Sequence, residues 1–103
     1  MDELRLRARR ASTTVTVTVA GDLDVATKPE LVVFLAGVLL AGDQRMVLNL
    51  GGVTFIDASG AGALVGFWKL ARQQDTALVL VDSADCVLRL LAITGLDLLF
   101  VLA

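Results

Sequence analysis

A chain of 103 residues with 56% hydrophobic and 19% charged side chains fits one globular domain spanning residues 1–103, well away from disorder. Its formal net charge of −2 argues against nucleic acid as a partner, since proteins that bind it are usually basic. The longest apolar run, Leu31–Ala41, follows a proline and falls short of the roughly 20 residues a bilayer crossing takes, so no direct membrane insertion and no leader are expected. The single cysteine, Cys86, allows no internal disulfide and suits the reducing cytoplasm. The chain has no histidine, zinc-type spacing or glycine-rich phosphate loop. Neither a metal nor a cofactor is expected.

In chain order, Leu4-Arg-Leu-Arg-Ala-Arg9 alternates apolar and charged residues, as a half-buried strand with outward arginines does. Thr14-Val-Thr-Val-Thr-Val19 alternates as well and is β-branched throughout, so the two predict a hairpin joined by Arg10–Thr13. Thr27-Lys-Pro-Glu30 reads as a capping box that opens a helix running to about Ala41, where Gly42 stops it. Met46–Leu50, Leu78–Val81 and Leu98–Leu102 are nearly continuous apolar runs, the pattern of strands buried on both faces. A second helix is predicted from Ser59 to about Gln74. Ser83 is read as the cap of a third, which ends at Gly95.

The order β-β-α-β-α-β-α-β is that of an α/β domain with a mixed, mostly parallel sheet, an N-terminal β-hairpin and helices packed on it. In a parallel sheet the C-terminal strand ends share one edge, where ligands and partners gather. Gly21-Asp-Leu-Asp24 and Asp57-Ala-Ser-Gly60 therefore become neighbours in space.

Three stretches, GDLDVATKPEL, NLGGVTFIDASGAGAL and LAITGLDLLF, resemble in order the signature stretches of STAS-domain anti-sigma factor antagonists. The resemblance implies a non-enzymatic switch protein in which Ser59 is the phosphoacceptor. It implies as partners an anti-sigma factor with GHKL-type serine kinase activity and a PP2C-type phosphatase that reverses the modification. The unphosphorylated form would bind the kinase and free the sigma factor, and phosphorylation of Ser59 would abolish binding. Many members carry serine where this chain has Ala58. Similar domains also serve as subunits of phospholipid-transport ABC complexes and in stress-signalling assemblies, which is the alternative role.

The residues themselves permit this switch. A serine hydroxyl needs an adjacent base to act as a nucleophile, and Lys69 lies about three helical turns away. Catalysis by Ser59 is not expected, whereas phosphorylation by another protein needs only access and a place that tolerates charge, such as a helix start. A plain N-cap role for Ser59 stands beside it. Asp57 occupies the place of a phosphoaccepting aspartate in response-regulator receivers, the rival reading. A receiver also needs an acidic pair after its first strand and a lysine near its last, and neither is present. Asp57 is therefore read as a brace of the turn. Gly60, Gly62 and Gly66 are costly in a helix and imply either close packing or room for a partner. The expected partner-binding surface comprises Asp22, Asp24, Thr27, Asp57, Ala58, Ser59, Gly60 and Gly62. Arg5, Arg7 and Arg9 are read as edge-strand charges that deter sheet-to-sheet aggregation.

Overall fold

A computed structural model describes residues 2–103. Strands β1 (Arg5–Ala11) and β2 (Thr14–Leu23) form the expected hairpin. Then come helix α1 (Lys28–Val38), strand β3 (Arg45–Ile56), helix α2 (Ala58–Gln73), strand β4 (Ala77–Val81), helix α3 (Asp85–Thr94), a 3₁₀ turn over Leu96–Leu98, and strand β5 (Val101–Leu102). The sheet order is β1-β2-β3-β4-β5; β1 runs antiparallel to β2 and every other pair is parallel.

The alternation in β2 drives the packing. Val15, Val17 and Val19 are buried, while Thr14, Thr16 and Thr18 are half-buried or exposed. They join Met46, Leu48 and Leu50 of β3 and Leu78 and Leu80 of β4 in one core with Leu31 and Leu35 of α1, Leu64 and Phe67 of α2, and Val87 and Leu91 of α3. Of the three apolar runs expected to be buried on both faces, β4 comes nearest, with Leu78, Val79 and Leu80 buried and Val81 half-buried. In β3, Val47 and Asn49 are half-buried, and in β5 both residues are exposed. The α1 helix stops at Val38, short of Ala41, because Leu39 leaves helical geometry. Gly42, at φ +91°, serves the turn that follows.

Where the parallel strands begin, Asp43 closes the turn. One carboxylate oxygen accepts from the Arg10 guanidinium and the other from the Leu40 N–H at 2.9 Å. The Asp43 carbonyl accepts from the Thr76 hydroxyl at 2.7 Å. The Arg10 guanidinium beside it, and after that the Leu40 N–H, hold the Asp43 carboxyl below the usual carboxylate range.

Candidate functional site

At the opposite edge the parallel strands β2 and β3 end side by side, with Leu23 paired to Ile56. The Asp57 N–H donates to the Leu23 carbonyl at 3.2 Å, which brings the GDLD stretch, whose first three residues end β2, together with the start of α2. Gly60 makes the contact close. A Cβ there would lie 2.4 Å from the Leu23 carbonyl oxygen and 2.9 Å from its Cβ, so only glycine fits. Gly21 is required in the same way: at φ +101° its Cβ would fall 2.2 Å from the Glu3 carbonyl oxygen. Of the two readings of the α2 glycines, packing accounts for Gly60. Gly62 and Gly66 are exposed, and open space meets any Cβ at Gly66.

Asp57, in extended geometry, caps α2: its Oδ1 accepts from the Gly60 N–H at 3.1 Å. Ser59 is therefore not the N-cap. It is the second residue of the helix, half-buried, between exposed Ala58 and buried Gly60. The capping duty falls to a carboxylate, which suits a helix N-terminus. With that carboxylate engaged by the turn, Asp57 acts as the brace that the sequence suggests.

The capping box at Thr27 does not form either. Thr27 stands at the cap position of α1, yet its hydroxyl makes no cap bond. It donates to the Asp22 carbonyl at 2.8 Å and accepts from the Asp24 N–H at 3.0 Å. Asp24 Oδ1 in turn accepts from the Ala26 and Thr27 N–H groups, each at 3.0 Å. The loop thus fastens itself. Ser83 also fails as a cap, since Ala84 takes that position and the Ser83 hydroxyl is buried without a partner among the described residues.

Asp22 departs furthest from a solvated loop residue. It is 8% exposed, and its carboxylate accepts from the Thr54 hydroxyl at 2.7 Å and the Asp2 N–H at 3.1 Å. Asp2, Asp22, Asp24, Thr54 and Phe55 line a groove of about 510 Å³. Phe55 is 49% exposed and Val25 72%; neither stood out in the sequence as a surface residue. A bulge explains Phe55. Gly21 pairs with Val53 and Asp22 with Phe55, so Thr54 is extra on β3 and the facing of the next side chain is reversed.

These features converge on one edge. The STAS domain family matches residues 5–103. The chain belongs to the STAS domain family. Among its relatives is an anti-sigma-B factor antagonist of Staphylococcus aureus, 40% identical over 86 residues, which cover 82% of this chain and 80% of that one. In fold the STAS chain is similar to an anti-sigma factor antagonist from Mycobacterium paratuberculosis, with a TM-score of 0.86 at 23% identity over 98% of this chain and 86% of that one. It is also similar to the Bacillus cell fate determinant SpoIIAA in its phosphorylated form, with a TM-score of 0.72 at 18% identity over 98% and 91% of the two chains. The family match and the simple strand order overturn the receiver reading, whose doubly wound sheet has its strands in another order. Among the described residues no helix is long and apolar enough to cross a membrane.

Proposed function

We propose that this STAS domain is an anti-sigma factor antagonist controlled by phosphorylation of Ser59. Unmodified, it binds an anti-sigma factor that is itself a serine kinase of GHKL type, through the edge formed by Asp22–Thr27 and Asp57–Gly62. The sigma factor is thereby freed. The observation that carries this reading is the position of Ser59. Asp57 caps the helix, so the Ser59 hydroxyl is spared that duty and stands between a methyl group and a glycine at a helix start.

In the transfer step a bond forms between Ser59 Oγ and the γ-phosphorus of ATP. The bond from that phosphorus to ADP breaks, and the hydroxyl proton passes to a base on the kinase, since this chain has no histidine to take it. The product carries about −1.5 to −2 charges at neutral pH. The N–H groups of the first helical turn favour an anion, so the fold need not change. The interface does change, because the new charge joins Asp24 and Asp57 on one edge. Like charges set together in an interface cost several kcal/mol, and about 3 kcal/mol is more than a hundredfold in affinity. A PP2C-type phosphatase would restore the binding form.

Calorimetric titration of the kinase tests the proposal with unmodified protein, Ser59→Ala and Ser59-phosphorylated protein at fixed salt. The first two should bind alike, and the third at least about a hundredfold more weakly. Equal affinity of all three would end the assignment.

A further inference from the structure

Lys28 opens α1, and its ammonium lies close to α2: a Cβ on Gly62 would be 3.9 Å from Lys28 Nζ. Ser59 and Gly62 lie three residues apart on one side of α2, where Cβ positions are about 5–6 Å from each other. The ammonium is therefore no more than about 10 Å from the Ser59 Cβ, a gap that the length of a phosphoserine and the flexible lysine stem can close. Lys28 is exposed, and the ion pair found among the described residues, Arg10–Asp43, leaves it without a carboxylate. Its setting is unfavourable for a cation. It stands in the first turn of α1 and beside the first turns of α2, and both helix starts present partial positive charge.

We infer that Lys28 is the intramolecular counter-ion of phosphorylated Ser59. This rests on the phosphorylation proposed above. The ammonium and phosphate pair across Gly62, whose missing side chain leaves the path between α1 and α2 open. Pairing neutralises part of the added charge. It also holds the phosphate over the bare Gly62 surface, where a partner would otherwise approach closely. Release of the partner then comes from a covered surface as well as from repulsion by Asp24 and Asp57. Lys28 is a positioning residue, and it forms and breaks no covalent bond.

The second ionisation of the phosphate reports the pair. Lys28 and the α2 N–H groups favour the dianion; Asp57, Asp24 and, on α1, Glu30 oppose it, while Lys69 is about three turns along α2. Phosphoserine is inserted at position 59 during translation, so no kinase is needed, and the ³¹P resonance is followed against pH. The phosphate pKa should rise by about half a unit in Lys28→Met and return in Lys28→Arg. The difference should shrink in high salt, and Lys69→Met should leave the value where it was. Identical pKa values in the parent and Lys28→Met would overturn the pairing. The two proposals fail separately: a kinase that binds phosphoprotein and unmodified protein alike sinks the switch, and leaves an ion pair seen by ³¹P intact.

Discussion

At the edge where the parallel strands begin, Asp43 is paired with a guanidinium, and Arg10 also reaches the Val38 carbonyl at 2.8 Å. The Thr76 hydroxyl and the Gln44 and Ala77 N–H groups stitch the same turns together. At the edge where the strands end, Asp22, Asp24 and Asp57 are satisfied by a threonine hydroxyl and backbone N–H groups. Both edges have their carboxylates hydrogen-bonded. Only the first has its charge cancelled. Neutral donors fix a carboxylate in place without neutralising it, so the second edge is rigid and still negative. That combination suits a surface whose affinity is to be changed by one more negative group.

The sharpest way to probe the second edge is to crowd it. Gly60→Ala places a Cβ against the Leu23 carbonyl, so β2 and α2 must separate. The expected loss is about 1–3 kcal/mol by urea unfolding. Gly62→Ala, two residues on in the same helix, has only the Lys28 ammonium within 4 Å and should gain up to about 1 kcal/mol. Losses of similar size at both positions would show that Gly60 is not set apart by packing.

Next comes the cap. Asp57→Ala leaves the Gly60 N–H without its acceptor and should cost about 1 kcal/mol. Asp57→Asn should recover most of it, since the amide oxygen accepts the same bond. Circular dichroism in urea separates these variants. No loss in Asp57→Ala would move the cap elsewhere.

The elements of this fold were legible because short-range patterns decide them. Alternation in β2 marked that strand, and the start of α2 was legible near Ser59, but β3 runs on to Ile56, six residues beyond the apolar run that ends at Leu50. Cap assignments were less legible, because the patterns name candidate donors and acceptors but not their competitors. Thr27 and Glu30 have capping-box spacing, yet the Asp22 carbonyl and Asp24 N–H, brought near by the loop, claim the Thr27 hydroxyl first. Asp57 and Ser59 are both good caps, and only the extended backbone at Asp57 decides between them. The exposure of Phe55 had no signal along the chain, because the bulge that exposes it is made jointly by two strands. The approach of the Lys28 ammonium to Gly62 joins residues 34 positions apart on two helices, with no signature along the chain.

The first edge carries a pH dependence through Asp43. Arg10 and Leu40 lower the Asp43 pKa in the folded protein. A lowered carboxylate pKa stabilises above the unfolded value of about 4, and that contribution is lost as pH falls through the folded value. Arg10→Ala removes the largest cause. The variant should therefore melt below the parent at pH 7, and the gap should close as pH drops below about 4. Thermal melts of both proteins from pH 7 to pH 3 check this, and a gap that widened in acid would reverse the sign.

The smallest expected effect is at the residue on which function is proposed to turn. If Ser59 were the cap of α2, Ser59→Ala would cost about 1 kcal/mol. With Asp57 in that role the change removes a half-buried hydroxyl from the second helical position and leaves the cap bond in place. Alanine is also the better helix former. The two terms oppose, so stability should stay within about 0.5 kcal/mol of the parent. Urea unfolding of Ser59→Ala, Asp57→Ala and the double variant gives the answer, because a shared capping role would make the two losses non-additive. The near-neutral result also gives the binding experiment its meaning. A Ser59→Ala protein as stable as the parent, and bound as tightly by the kinase, has lost only the oxygen proposed to accept phosphate.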